Sequence, residues 1–320
     1  MQQIERAIGN ELRTFDRHFN NTFKSQVWLL DKILSFLAKT KGKQMRPMFV
    51  LLCARIGGTV NDTTYRAALF VEMIHTSSLI HDDIVDNSAQ RRGTFSINAL
   101  WKNKIAVQVG DYLFAKAISI LLESQDYKVL KILSSSIEKV VSGELLQMEK
   151  ARRINFSEDI YYEVIKGKTA SLLASACSAG AASTFKDEDA ISKFYQFGEN
   201  IGMAFQIKDD LLDYSELEIG KPTGSDIKEK KITLPLLYTL NNCDRALRKQ
   251  LTRIIKSNNI TDEKVAFMIK HMKDVGGIQY AEEKMLQFRE KALNILYTFP
   301  NSDTRMALEY LVKYTTERKK

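Results

Sequence analysis

An all-α protein is what this sequence predicts, and three observations predict it. The 320 residues include only 4 prolines and 15 glycines, too few turn-formers for a sandwich or barrel of many short strands. Apolar residues recur at helical spacing along much of the chain, and no clear run alternates as a strand does. Hydrophobic residues at 44% and charged residues at 27% match an ordinary folded protein and argue against disorder.

The elements follow in order. Val27, Leu30, Ile33, Leu34 and Leu37 form one stripe, which predicts a helix over 26–37. Asn61 or Asp62 then caps a helix running through Tyr65, Leu69 and Ile74. Further helical patterns cover 107–122, 127–148, 191–214, 263–273, 279–296 and 304–312. The polar segments 87–95 and 215–231 carry glycine, or glycine and proline, and read as loops. No linker divides the chain, so one domain over residues 1–320 is expected.

Composition narrows function less than fold. A net charge of +8 and a pI near 9.1 suit nucleic acid, a membrane surface or an anionic substrate. Nucleic acid is disfavoured, because the basic residues alternate with acids and no aromatic-interleaved basic stripe appears. Cys53, Cys177 and Cys243 are far apart and form no CxxC pair, which predicts neither zinc nor disulfides and a reduced, cytoplasmic setting. The N-terminus lacks the apolar core of a signal peptide. The longest uncharged stretch, 169–185, is too short and polar to span a bilayer, which leaves only peripheral membrane contact.

Two acidic clusters carry the chemistry. Asp82-Asp83-Ile84-Val85-Asp86 and Asp209-Asp210-Leu211-Leu212-Asp213 both read DDxxD, and both lie near the end of an apolar helix. Residues four apart share a helix face, so Asp82 pairs with Asp86 and Asp209 with Asp213. Three adjacent carboxylates at a helix C-terminus repel one another and oppose the helix dipole, so a positive partner is expected. Mg²⁺ fits, since it takes one or two carboxylates and completes its shell with water and phosphate oxygens. Each cluster precedes a basic loop: Arg91 and Arg92 after the first, Lys221 and Lys231 after the second. Lys43, Arg46 and Lys168 add cations, and His75 lies on the carboxylate face. Arginine forks and lysine charges beside metal-binding carboxylates point to a diphosphate. The GKT at 167–169 is not a P-loop, because Tyr162 stands where that motif needs glycine.

With these residues in view, the chain resembles the trans-prenyl diphosphate synthases. The resemblance rests on KGKQMRP at 41–47, HTSSLIHDDIVDNSAQRRG at 75–93, GDYLFAKA at 110–117, GKTASLL at 167–173, FQIKDDLLDY at 205–214 and KKITLPLL at 230–237. It implies a helical bundle with a central cavity, the isoprenoid synthase type. It implies condensation of an allylic diphosphate with isopentenyl diphosphate, two or three Mg²⁺ ions, and a homodimer. Asp82, Asp83 and Asp86 correspond to the first aspartate-rich motif, with Asp82 and Asp86 the leading metal ligands. Asp209, Asp210 and Asp213 correspond to the second, with Asp209 leading. Arg91, Lys168, Thr169, Gln206 and Lys221 would surround the allylic diphosphate. Lys43, Arg46, His75 and Arg92 would bind the isopentenyl diphosphate, and Lys231 is a second loop lysine of less defined role. The chain departs from the family at Lys41, where a glycine is common, and at Lys208, where an uncharged residue is common.

Ser77 and Ser78, a turn before the first cluster, are small where bulky residues resemble a short-chain floor. They imply a long product, hexaprenyl to decaprenyl, of the kind that serves as a quinone side chain. The other readings are a geranylgeranyl or farnesyl diphosphate synthase, a class I terpene cyclase, whose second metal motif would differ, and a non-catalytic helical subunit. The last would be marked by loss of a DDxxD, and both are intact.

Overall fold

The computed structural model describes residues 2–91, 93–153, 157–215, 224–257 and 259–318, and no side chains over 151–153. It is helical, as predicted. In chain order the helices are α1 Gln2–Thr22, α2 Trp28–Lys39, α3 Met45–Gly57, α4 Asp62–Val85, α5 Ile97–Trp101, α6 Asn103–Glu123, α7 Tyr127–Arg153 and α8 Glu158–Ile165. A π-helical turn, Lys166–Ala170, leads into α9 Ser171–Ala182. Then come α10 Glu188–Asp213, α11 Ser225–Lys228, α12 Leu234–Asn242, α13 Arg245–Lys256, α14 Asp262–Asp274, α15 Gly277–Leu296 and α16 Asp303–Glu317. The only sheet among the described residues is a hairpin of β1 Gln90–Arg91 and β2 Thr94–Phe95, with Gly93 at φ 75° in its turn. It falls inside the segment read as a loop, and α11 falls inside the other. Helices α1, α3, α5, α8, α9, α12 and α13 lie outside the predicted segments.

The chain divides into two compact units. The first comprises Met1–Ile137, Ser175–Tyr195 and Tyr297–Tyr310. Its central helix is α4, and Asn61 rather than Asp62 is the cap. The Asn61 side chain accepts from the Thr64 N–H while the Thr64 hydroxyl accepts from the Asn61 N–H. Leu69, Phe70, Val71, Met73 and Ile74 are all buried, so α4 is apolar on several faces and packs most extensively against α6. Each such side chain contributes roughly 1.5–3 kcal/mol through removal from water. Helix α6 is long and apolar enough to cross a bilayer; Ala106, Val109, Leu113, Ala117 and Leu121 bury one face of it in this unit, while Val107, Phe114 and Leu122 are exposed. Cys53 and Cys177 are buried free thiols here.

The second unit comprises Glu138–Ala174, Gln196–Leu296 and Leu311–Lys320. One core cluster gathers Ile165, Ala170, Ala204, Ile207, Leu234 and Ala281. Another joins Tyr214, Leu236, Leu251, Ile255, Val265 and Met268, so α12, α13 and α14 share it. Glycines let backbones close in on the π turn. A Cβ on Gly143 of α7 would lie 2.6 Å from the Lys168 nitrogen, and one on Gly202 of α10 would lie 2.4 Å from the Ala170 Cα.

Candidate active site

In the first unit, α4 ends within the DDxxD cluster, and its three acids divide. Asp86 is exposed and is the helix C-cap, and Asp82, one turn earlier on the same face, is half-buried. Asp83 turns inward and is buried. Arg91 of β1 reaches it with both Nε and Nη2 at 2.7 Å from Oδ1. The Asp83 carbonyl accepts from the Ser88 N–H at 2.9 Å and from the Asn98 amide at 3.2 Å, which pins the hairpin to the helix end. Arg91 thus meets an aspartate of its own chain, besides the diphosphate role the resemblance gives it. A cavity of about 60 Å³ lies beside this pair, lined in part by Lys41, Glu72, Thr76 and Ile80.

His75 on α4 is half-buried. Arg46 in α3 is half-buried and Lys43, just before it, is exposed. Between them Gln44 adopts left-handed backbone, φ 49°, a strained conformation that commonly marks functional loops. Ser77 is buried, and its hydroxyl donates to the Gly110 carbonyl of α6 at 2.8 Å, so it serves helix packing. Ser78 is half-buried. Arg92 lies outside the described residues, as does Lys221.

The second unit joins its predicted residues into one network. Thr169 on the π turn donates to Gln206 Oε1 at 2.7 Å, and the Gln206 amide donates to Asp210 Oδ1 at 2.9 Å. The Tyr161 hydroxyl donates to the other Asp210 oxygen at 2.7 Å. Burial, reinforced by the charge of Asp226, pushes Asp210 up to about 7, against the opposing hydrogen bonds from Gln206 and Tyr161. Lys168 pairs with Glu144 at 2.6 Å and Gln147 at 3.1 Å. A π turn at this lysine fits the tendency of such turns to sit at functional sites. Tyr161, Glu144 and Gln147 escaped the sequence reading. Their alignment with Lys168 and Asp210 is set by tertiary packing, although i to i+3 spacing of Glu144 and Gln147 on one helix face was a usable signal.

Asp213 also serves structure. Its Oδ1 accepts from the Ser225 N–H and hydroxyl at 3.1 and 2.7 Å, and its Oδ2 accepts from the Asp226 N–H at 3.0 Å. Asp209 is the outward acid of this cluster, its side chain 39% exposed, and the Arg318 guanidinium ion-pairs with it while stacking over Phe205. Lys208 beside it is shifted downward by burial, with Arg318 adding to the effect and Glu282 opposing it. Lys231 pairs with Glu229 at 2.5 Å and lies 3.7 Å from Asp226.

No group of three or more His, Cys, Asp or Glu among the described residues forms a ready-made metal cage. Within the first unit Asp86 is an exposed carboxylate and Asp82 a half-buried one; within the second, Asp209 is half-buried and ion-paired with Arg318.

Helical units, paired DDxxD clusters and basic partners define a diphosphate-handling synthase. The polyprenyl synthetase family model matches residues 27–272, and the chain belongs to this family of prenyltransferases. It is 35% identical over 315 residues to the heptaprenyl diphosphate synthase component 2 of Bacillus subtilis, covering 98% of this chain and 89% of that one. Its structure resembles a decaprenyl diphosphate synthase from Rhodobacter capsulatus, at 33% identity and a TM-score of 0.94, over 100% and 99% of the two chains. It also resembles a polyprenyl synthase from Caulobacter crescentus complexed with calcium and isoprenyl diphosphate, at 32% identity and a TM-score of 0.93, over 100% and 98%. Geranylgeranyl diphosphate synthases are among the similar structures too.

Proposed function

We propose that this protein is an all-trans polyprenyl diphosphate synthase that extends an allylic diphosphate with isopentenyl diphosphate to a hexaprenyl-to-decaprenyl product, of the kind used in quinone side chains. One observation carries the reading: each cluster buries one acid, Asp83 or Asp210, against partners from the fold, while Asp86 is exposed and Asp82 and Asp209 are only half-buried, Asp209 in an ion pair with Arg318. These three would hold two or three Mg²⁺ ions, which when bound neutralise the departing diphosphate. Lys168, Thr169 and Gln206 would steady the allylic diphosphate, with Arg91 and Lys221. Lys43, Arg46, His75 and Arg92 would hold the diphosphate of isopentenyl diphosphate. Asp83, Asp210 and Asp213 would position the outward acids, with Lys231 beside the loop. The double bond of the isopentenyl group then attacks the allylic carbon, and a proton leaves. The departing diphosphate is the available base.

Long chain length is supported by the heptaprenyl and decaprenyl synthases among the similar proteins and by the small Ser78. Unit boundaries that fall inside α7, α9, α10 and α16 support reading the chain as one domain. Exposed Val107, Phe114 and Leu122 on α6 support a homodimer, and the "component 2" of the B. subtilis relative's name raises a partner subunit as the other assembly. We read the enzyme as cytoplasmic. The test is incubation with Mg²⁺, farnesyl diphosphate and labelled isopentenyl diphosphate, followed by dephosphorylation and sizing of the alcohols. A ladder ending at one long prenol is expected. A ladder ending at geranylgeraniol would overturn the chain length, and no incorporation by the folded chain would favour the helical-subunit reading.

A further inference from the structure

Helix α13 carries a second surface that the synthase chemistry does not use. Its twelve residues, RALRKQLTRIIK, hold five cations and no acid. Leu251, Ile254 and Ile255 bury the other side of the helix in a core shared with α12 and α14. Arg245, Arg248, Lys249, Arg253 and Lys256 are all exposed, at spacings of three, four or one that keep them on one side of the helix. With Thr252 they line one open stretch of surface that follows the helix for about 16 Å, at 1.5 Å of rise per residue. Among the described residues none of the five forms an ion pair. The adjacent acid, Asp244, instead accepts the N–H groups of Ala246 and Leu247 as the helix cap.

Such a face is costly by itself, because like charges three and four apart repel. A surface rich in negative charge relieves that cost. We propose that the basic face of α13 docks the enzyme electrostatically on an anionic phospholipid bilayer. The apolar side is already buried in the fold, so α13 lies on the headgroups without inserting, which separates it from an inserting amphipathic helix. A nucleic acid is the less favoured polyanion, since the face has no aromatic side chain to stack on bases. The proposal draws biological sense from the reading above, because a long prenyl product partitions into lipid.

The test uses the full chain and vesicles of phosphatidylcholine with or without phosphatidylglycerol, scored by co-sedimentation. The variant is R248Q/K249Q/R253Q, in which glutamine preserves helix propensity. Each cation near an anionic surface contributes about a factor of five to partitioning, so the triple variant should bind anionic vesicles roughly 100-fold more weakly. Binding of the parent chain should vanish at high salt and on neutral vesicles. Incorporation of isopentenyl diphosphate in detergent should be equal in both proteins, a readout that separates failure of docking from failure of the synthase reading. Equal sedimentation of parent and variant, salt-independent sedimentation, no sedimentation of the parent, or tighter retention on duplex nucleic acid than on anionic vesicles would each overturn the proposal.

Discussion

Removing the Asp213 side chain asks whether this acid is a metal ligand or a structural anchor. The structure gives it three accepted bonds, from the Ser225 N–H, the Ser225 hydroxyl and the Asp226 N–H, and its own carbonyl accepts from the Gly224 N–H at 2.8 Å. The side chain therefore fixes the start of α11, where the chain returns after residues 216–223. A single capping side chain contributes up to about 2 kcal/mol, and a bond to a charged acceptor roughly 1.5–3 kcal/mol, though such bonds do not add. Asp213 is half-buried rather than buried, so water recovers part of the loss, and Asp213→Ala should cost about 2–3 kcal/mol. Unfolding entropy of about 2.1 cal/mol/K per residue over 320 residues gives about 0.7 kcal/mol per degree, hence a fall in Tm of about 3–5 °C. Thermal unfolding is followed in EDTA and again with Mg²⁺ and diphosphate. The loss should be present in full in EDTA. A variant that melts with the parent in EDTA and loses only the stabilisation given by Mg²⁺ and diphosphate would make Asp213 a ligand and refute the anchoring argument.

Other outcomes follow from neighbouring contacts. Arg91→Ala removes two 2.7 Å bonds from buried Asp83; with Arg91 itself 35% exposed, about 2 kcal/mol of stability should be lost, and an unchanged calorimetric scan together with a raised allylic KM would exclude it. Ser78→Phe should shorten the prenol ladder with the fold intact, whereas Ser77→Phe should chiefly destabilise, because Ser77 is packed on Gly110; prenol sizing and Tm together decide. Arg318→Ala should tighten Mg²⁺ binding several-fold in titration calorimetry, since Asp209 no longer shares its charge with the guanidinium. Asp210 has a folded-state value of about 7 against an ordinary carboxylate value near 4, so the native state holds its proton longer than the unfolded one. Stability in EDTA should therefore fall as pH rises from about 4 to about 7, by no more than about 4 kcal/mol, and Asp210→Asn should flatten that fall.

Much of the fold was legible because it depends on local pattern. The stripe at Val27, Leu30, Ile33 and Leu34 and the cap at Asn61 are short-range signals, and both lie where helices form. Helix α3 escaped because eight consecutive residues, Pro47 to Ala54, are buried, which erases the periodicity that a half-exposed helix shows. Helix α13 escaped for a different reason. Its five cations mask a short apolar stripe of Leu247, Leu251, Ile254 and Ile255. The π turn at Lys166–Ala170 has no local signature either. It is permitted by the bare Gly143 and Gly202, which lie far from it in sequence.

The site divides along the same line. Spacing correctly put Asp82 with Asp86 on one face, but i and i+4 arithmetic cannot say which neighbour faces inward. The repulsion within each cluster was read as a demand for metal, and the structure meets part of that demand with protein. Arg91 offsets Asp83, Tyr161 and Gln206 bind Asp210 while burial favours its neutral form, and backbone N–H groups hold Asp213. Each inward acid is partnered by a residue at least eight positions away, apart from Gln206, so no local rule could assign it. The inward set anchors the helix ends, and on the proposed reading that anchoring would let Asp82, Asp86 and Asp209 offer oxygens to an ion without first being ordered. On the proposed reading a DDxxD holds two devices in one motif: inward acids whose partners belong to the fold, and outward acids that would meet the ligand, Asp209 on leaving Arg318.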